Sequence, residues 1–233
     1  MAIYHFTVKA ISRGKGQSGV SALAYRAGVQ LVDQRIGKTF DYQNKAVQRV
    51  ELLLPDHVPD FMKQWQAQLD SGCPKDRQAA LQKFSDYIES FERRMDSQIY
   101  REIEFALPCE LTEEQNIKLA REFVEHHCCN RGMVAVCNFH FDVDKKTGQL
   151  KPHCHVLLST RNITREGFGL KNRDWNHKDL VLEWREKWCE YLNCALKEYG
   201  IDARVDHRSY ADRGIDIEPQ LKKSHATGSQ RTR

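Results

Sequence analysis

The segment KPHCHVLLST, residues 151–160, is the most informative part of this sequence for predicting the fold and the functional site. Residues 156–158 are apolar, which is typical of a buried strand, and two histidines stand two positions apart where that strand begins. Because side chains alternate between the faces of a strand, His153 and His155 point to the same side, with Cα atoms roughly 6–7 Å apart. This spacing allows two imidazoles to reach one metal ion.

A third histidine, His140, ends the apolar run that precedes this strand. The residues between the two runs, 142–149, are rich in turn formers, and the pattern predicts a β-hairpin that turns near Lys146. In that register His140 lies across from His153 or His155 on the same face, whereas a slip of one residue would move it to the opposite face. Three converging imidazoles predict a metal site with open coordination positions, which is typical of catalysis.

The composition predicts an ordinary globular chain. With 233 residues, 40% hydrophobic and 29% charged, we expect one domain with a sizeable core. No apolar run approaches the roughly 20 residues that span a membrane, and the first residues lack the order of a signal peptide, so we expect no membrane insertion. The eight cysteines form no C-x-x-C pair, and several lie in apolar patterns. We therefore expect reduced thiols in a cytoplasmic protein.

The distribution of charge is more informative than the net charge of +4. The first fifty residues contain eight lysines and arginines but two aspartates, and no acidic residue follows Glu218. Basic ends around a mixed middle suit a polyanionic partner, although a solvated surface with a disordered tail explains the same pattern. We expect one domain over residues 1–208 and an irregular basic tail over residues 209–233.

The periodicity of the sequence predicts an α+β fold in which helices flank a central, largely antiparallel sheet. Ser18 and Thr112 are typical N-caps, and Thr112 begins a capping box. The expected strands are 3–11, 47–54, 98–107, the two strands of the hairpin and a short last strand at 201–205. The expected helices run from Ser18 through Leu31, over 59–96 with a break at 70–74, from Thr112 to about 131 and from 176 to 199. A loop that contains Gly167 and Gly169 is expected before the last helix.

Two acidic residues and one tyrosine are further candidates for chemistry. Glu102 and Glu104 share one face of their strand. One of them could orient a ligand imidazole or bind the metal, or both could line a solvent-facing edge of the sheet. Tyr25 lies on the helix that follows a basic, glycine-rich loop, and the amino end of that helix favours phosphate. Tyrosine is a nucleophile only when activated, because its ordinary pKa is near 10. The alternative for Tyr25 is a place in the core.

These residues carry a resemblance to a known family. The segments MAIYHF at 1–6, GQS at 16–18, Ala24-Tyr25, EFALP at 104–108 and PHCH at 152–155 occur in the order found in the MobA/MobL group of plasmid mobilisation relaxases. The chain resembles this group from residue 1 to about residue 208. The group belongs to the HUH endonucleases, so the resemblance implies a relaxase domain with a ferredoxin-like palm.

The resemblance also implies an activity. Such relaxases nick one strand at a plasmid transfer origin through a 5′-phosphotyrosine intermediate and later religate it. The resemblance implies that Tyr25 is the catalytic tyrosine, aided by Glu102 and Glu104. It also implies that the metal ligands are His140, His153 and His155. We expect a divalent ion, Mn²⁺ or Mg²⁺ first, with Zn²⁺, Co²⁺ or Ni²⁺ as alternatives. Because each histidine must be neutral to bind it, activity should fall below about pH 6.

The expected partner is single-stranded DNA at a plasmid transfer origin, together with relaxosome accessory proteins and a coupling protein. Cations would hold the strand, and the candidates are Arg13, Lys15, Arg26 and, after the histidine strand, Arg161. Two features depart from the family. The region 70–77 is longer than the family core needs, and many relatives continue into a helicase or primase region. The chain is therefore either a minimal mobilisation protein or a truncated form.

Two other functions remain open from the sequence. A rolling-circle replication initiator or single-strand transposase of the HUH type uses similar histidines, but its tyrosine commonly follows them. The candidates for such a tyrosine are Tyr191, Tyr199 and Tyr210. A non-catalytic nucleic-acid-binding module would instead hold a structural zinc ion with four protein ligands.

Overall fold

The computed structural model describes residues 3–144, 147–209 and 211–216. In these residues the elements are, in chain order, β1 (Phe6–Ser12), α1 (Gly19–Ala27), β2 (Gln30–Asp33), β3 (Lys38–Asp41), β4 (Arg49–Leu53), α2 (Asp60–Asp70), α3 (Pro74–Phe91), β5 (Gln98–Ala106), α4 (Glu113–His127), β6 (Ala135–Val143), β7 (Leu150–Ser159), β8 (Arg161–Thr164), β9 (Gly167–Lys171) and α5 (Lys178–Glu198). The predicted turn near Lys146 lies outside the described residues, as do Tyr210 and residues 217–233 of the predicted basic tail.

Within the described part of the chain, five strands form the central sheet in the order β1-β5-β7-β6-β4, and every neighbouring pair is antiparallel. Helices α4 and α5 cover one face, over a core that includes Phe105, Phe123 and Trp188. Helices α1, α2 and α3 cover the other, over a core that includes Leu23 and Leu52. The predicted α+β fold with flanking helices is confirmed.

The alternation of side chains along β7 sets the location of the histidines. Val156 and Leu158 enter the core under α4 and α5, whereas Leu157 enters the core under α1, α2 and α3. His153 and His155 share the face of Leu157, four and two residues earlier on the strand, respectively. The face under α1 to α3 is therefore apolar along one half of the strand and polar along the other half.

Helix α1 ends four residues earlier than predicted. Gly28 follows it with a φ of 62°, in the left-handed region, and its N–H bonds to the Ala24 carbonyl. A Cβ at Gly28 would lie 2.7 Å from the Lys45 carbonyl oxygen, so this position also lets the chain before β4 pack against the helix. Beyond it β2 and β3 form a hairpin, and the apolar Leu31 is buried as a strand residue.

Three other predictions have mixed outcomes. The loop with Gly167 and Gly169 is a β-hairpin, β8–β9, because Phe168 packs its ring on Tyr87 at a centroid distance of 5.4 Å. The predicted strand at 201–205 is wrong: this segment is irregular and is held by hydrogen bonds between Asn193 and Val205, each 2.9 Å. The capping box at Thr112 is confirmed.

The region 70–77 comprises the last residue of α2, a short turn over residues 71–73 and the first turn of α3. All eight cysteines lie in the described residues and are free thiols; five are buried, Cys73 is partly buried, and Cys109 and Cys194 are exposed. Among the described residues, no helix has the length and apolar character needed to cross a bilayer.

Candidate active site

The register of the β6–β7 hairpin brings the three histidines together. His140 pairs directly with His153, as predicted, and their rings stack with centroids 5.0 Å apart. The ring of His155 stands nearly perpendicular to both, at 5.3 Å from His140 and 5.1 Å from His153. All three imidazoles are therefore close enough to share one ligand.

Hydrogen bonds at the back of two rings determine which nitrogen faces the site. The Nδ1 atom of His153 lies 2.9 Å from the Lys151 carbonyl oxygen, and that of His155 lies 2.8 Å from Oε1 of Glu102. Both oxygens are acceptors, so in the neutral rings Nδ1 carries the proton and Nε2 keeps its lone pair. Metal-binding histidines are commonly oriented in this way.

His140 gives the test of whether the residues fit a metal. It is fully buried, and neither of its ring nitrogens has a hydrogen-bond partner among the described residues. The main chain of Arg26 comes near enough to raise its pKa but does not complete a hydrogen bond. Buried polar atoms without hydrogen-bond partners are rare, and a bound metal ion would give one of these ring nitrogens a partner. The imidazoles therefore fit a divalent ion.

Carboxylates flank the histidines on two sides. The ligand atoms of His140, Asp142 and His153 lie within 4.8 Å of one another, and so do those of Glu102, Glu104 and His155. A mixed set of imidazole and carboxylate donors accepts zinc as well as the harder manganese and magnesium ions. Asp142 was not singled out from the sequence, although its place two residues after His140 on the same strand face is a usable signal.

Glu102 is fully buried and is held by three hydrogen bonds. Arg26 donates from Nε at 2.5 Å and from Nη2 at 2.6 Å, one to each carboxylate oxygen, and His155 provides the third. Burial alone would raise the pKa of Glu102, but these hydrogen bonds and the charges of Arg26 and Lys9 outweigh it and hold the pKa at about 2. Glu102 is therefore a permanent anion that orients His155.

Glu104 lies beside Glu102 and is more accessible. Its Oε2 atom is 3.0 Å from Nζ of Lys9 and 3.9 Å from Nδ1 of His155. Burial raises the pKa of Glu104, but the hydrogen bond from Lys9 and the neighbouring charges lower it further, so the net shift is downward. Glu104 thus adds negative charge behind His155 and holds Lys9 at the edge of the site.

Two of the histidines resist protonation. Burial, followed by the charge of Lys45 and the neighbouring histidines, lowers the pKa of His140 to about 3. Burial also lowers the pKa of His155, although Glu102 and Glu104 partly oppose this. His140 therefore stays neutral well below the value near pH 6 that the sequence suggested, and the lowered pKa of His155 acts in the same direction, which favours both rings as ligands.

Tyr25 occupies the last turn of α1 and is not a core residue. Its side chain is 48% exposed and forms part of a cleft of about 600 Å³ that Arg35 and Lys38 also line. The ring packs edge-on against Tyr42, with centroids 5.2 Å apart. Ser18 caps α1 by accepting a hydrogen bond from the Ser21 N–H at 3.1 Å, which fixes the helix that carries Tyr25.

Lys45 connects Tyr25 with the histidines. Its Nζ lies 3.9 Å from the centroid of the Tyr25 ring, and its charge is the largest neighbouring charge acting on His140. Burial lowers the pKa of Lys45, while Asp142 and Glu102 oppose that shift. Sequence reasoning missed Lys45, since a single lysine in an irregular segment carries no pattern.

The four arginines and lysines predicted to contact DNA differ in their surroundings. Lys15 is exposed in the loop before α1. Arg13 is a correction: its side chain is only 5% exposed and donates to the Glu89 carboxylate and to the carbonyls of Glu92 and Arg94, so it supports the fold. Arg161 likewise binds Glu92, at 2.8 Å, and two main-chain carbonyls. The guanidinium of Arg26 is occupied by Glu102.

Comparisons with known proteins identify the family of this chain. The model of the MobA/MobL family matches residues 17–233. Conjugal transfer protein TraA of Agrobacterium fabrum is 35% identical over 95% of this chain, and the match covers 21% of the length of TraA. Mobilization protein MobL of Acidithiobacillus ferridurans is 35% identical over 94% of this chain, and the match covers 61% of the length of MobL. A solved structure from "Molecular Basis of Vancomycin Resistance Transfer in Staphylococcus aureus" superposes with a TM-score of 0.75 at 30% identity, covering 90% of this chain and 100% of that one. The chain therefore belongs to the MobA/MobL family, as its sequence motifs predicted.

Proposed function

We propose that this chain is a relaxase: a site- and strand-specific nickase that cleaves single-stranded DNA at a plasmid transfer origin during conjugative mobilisation. The observation that carries the proposal is the convergence of an exposed tyrosine and three histidines through Arg26, Glu102 and Lys45. Relatives named for conjugal transfer and mobilisation support the same role.

The reaction is a transesterification. Tyr25 gives up its phenolic proton, and its Oη forms a bond to the scissile phosphorus. The bond from phosphorus to the 3′ oxygen breaks, and that oxygen takes up a proton to become a free 3′-hydroxyl. The product is a 5′-phosphotyrosine, and because the number of phosphodiester bonds is unchanged, a 3′-hydroxyl can later attack it and reclose the strand.

His140, His153 and His155 would hold a divalent ion, with Asp142 at the edge of the same group. When bound, such an ion supplies positive charge that neutralises phosphate oxygens in the transition state. The identity of the ion, Mn²⁺ or Mg²⁺ with Zn²⁺, Co²⁺ or Ni²⁺ as alternatives, is part of the proposal.

The remaining residues position these groups. Glu102 keeps the Nε2 lone pair of His155 directed at the site by accepting from Nδ1, and Arg26 keeps Glu102 in place. Lys45 places a positive charge at the Tyr25 ring, where negative charge develops when the phenol loses its proton before attack. Fixed geometry of this kind lowers the barrier by removing the need to orient the reacting groups.

The positions of Tyr191 and Tyr199 do not favour an initiator or transposase, and Tyr210 lies outside the described residues. Tyr191 packs against the core under α4 and α5, and Tyr199 follows the last residue of α5. That helix covers the face of the sheet opposite the histidines. We further propose that the chain acts in the cytoplasm with relaxosome accessory proteins and a coupling protein, over a domain of residues 1–208.

A denaturing gel of the protein incubated with a transfer-origin oligonucleotide and each divalent ion tests the proposal. Tyr25→Phe should abolish the covalent adduct and leave oligonucleotide binding intact. Tyr42→Phe is the matched control, since Tyr42 contacts the Tyr25 ring but is not the nucleophile. An adduct that persists in Tyr25→Phe contradicts the assignment, and a metal-loaded protein that forms no adduct supports the structural-zinc module.

A further inference from the structure

A second cleft, remote from Tyr25, is lined by arginines. It has a volume of about 570 Å³ and lies between the residues before β1, helix α5 and the chain that follows α5. Its charged and aromatic lining residues, within the described part of the chain, include Tyr4, Arg185, Arg204, Asp206, Arg208 and Arg213. Four arginines against one aspartate leave the cleft strongly positive.

The arginines are only partly neutralised. Asp206 accepts from Arg208 at 2.7 Å and lies 3.4 Å from Arg213. In contrast, Arg185 and Arg204 donate to main-chain carbonyls, those of His207, Ile201 and Ala203, and pair with no carboxylate among the described residues. Guanidinium groups held by carbonyls keep their full charge and are well suited to phosphate.

The arginine cleft adjoins an apolar cleft that reaches the histidine site. Ile3, which is 70% exposed, lines the arginine cleft and also a neighbouring apolar cleft of about 330 Å³. His153, Pro152 and Leu150 line that apolar cleft. The two adjoining clefts therefore form a path from His153, past apolar side chains suited to bases, to a group of arginines suited to phosphates.

We infer that this arginine cleft binds the sugar-phosphate backbone of the single-stranded DNA that flanks the nick site. The inference rests on the proposed function, because the occupant is identified by the path that begins at His153. The cleft acts at a distance from the chemistry: it increases affinity and fixes the register of the strand without touching the scissile phosphate.

Oligothymidylates of two lengths, about 8 and about 30 nucleotides, test the inference by fluorescence anisotropy over a range of salt. The double variant Arg204→Gln/Arg208→Gln should bind the long oligonucleotide roughly tenfold more weakly. The slope of log binding constant against log salt concentration should become shallower by about 1.4, because two phosphate contacts are lost. The short oligonucleotide should lose less affinity than the long one, because it covers less of the path.

Lys63→Gln/Lys118→Gln is the matched control, since it removes the same charge from two exposed, ion-paired helix positions. Arg204→Gln alone, which leaves the Arg208–Asp206 pair intact, should give about half of the change in slope and guards against misfolding. Equal losses at both lengths, losses matched by the control, or an effect seen only with duplex DNA would overturn the inference. Since no nick is needed, the result stands apart from adduct formation on the transfer-origin oligonucleotide.

Discussion

Arg26 and Glu102 form a bidentate ion pair, in which Nε of the arginine lies 2.5 Å from Oε1 and Nη2 lies 2.6 Å from Oε2 of the carboxylate. The pair joins the helix that carries Tyr25 to the strand beside the histidines, and the same carboxylate holds His155. One buried anion therefore sets the position of both parts of the site.

Arg26→Gln should separate a positioning role from a DNA-binding role. We expect the rate of adduct formation to fall roughly 100-fold, because Tyr25 and His155 lose their common support. The salt dependence of DNA binding should not change, because the Arg26 guanidinium is occupied by Glu102. Lys15→Gln is the comparison: it removes an exposed cation and should reduce the slope by about 0.7 with little effect on the rate. The opposite pattern would make Arg26 a phosphate contact.

Glu102→Gln should weaken metal binding. The amide can still accept from His155, but it loses the charge that strengthens that hydrogen bond, and such second-layer changes typically cost 10- to 100-fold in metal affinity. Competition with a chromogenic chelator measures the affinity directly. Glu51→Gln is the control, because Glu51 is a buried acid that Arg121 and Arg49 bind away from the histidines. Equal losses in the two variants would point to general destabilisation.

Lys45→Met should slow adduct formation about 10- to 100-fold while leaving the metal affinity unchanged or improved. Methionine keeps the apolar contact with the Tyr25 ring and removes the charge that now acts on both Tyr25 and His140. Single-turnover kinetics with saturating metal measures the rate. A loss of metal binding that parallels the loss of rate would contradict this account of Lys45.

The metal-free protein should lose stability in acid because of His140. Its pKa is about 3 when folded and near 6.5 when unfolded, so between these values the unfolded chain binds a proton that the folded chain does not. The free energy of unfolding therefore falls as the pH drops below 6.5, and Glu102 adds to the fall between 4.5 and about 2. Urea unfolding from about pH 7 to about pH 5 measures the trend.

His140→Asn should flatten that dependence, whatever its effect on stability at neutral pH. His57→Gln is the control, because His57 is exposed on the segment before α2 and should leave the dependence as it is. A wild-type slope in His140→Asn would show that burial of His140 does not limit stability in acid.

Much of the site could be predicted because strand alternation and hairpin pairing are local rules. The apolar run before His140 and the pattern around His153 and His155 determine the register, and the register determines which rings meet. The capping residues Ser18 and Thr112 were equally predictable, since their signal lies within four residues of the helix they begin.

The environment of the charged residues could not be predicted in the same way. Arg13 and Arg161 are typical phosphate-binding residues by type and by loop position, but both are bound by acids of α3 and the residue after it, Glu89 and Glu92. These partners are about seventy residues away in the sequence, and no periodic pattern relates them. The contact of Lys45 with Tyr25 depends likewise on packing against Gly28.

Mapping the covalent adduct tests whether Tyr25 is the nucleophile. The protein is allowed to react with a transfer-origin oligonucleotide, nuclease and protease digestion follow, and mass spectrometry locates the nucleotide-bearing peptide. We expect the added mass on Tyr25. A nucleotide attached to Tyr191, Tyr199 or Tyr210 would contradict it.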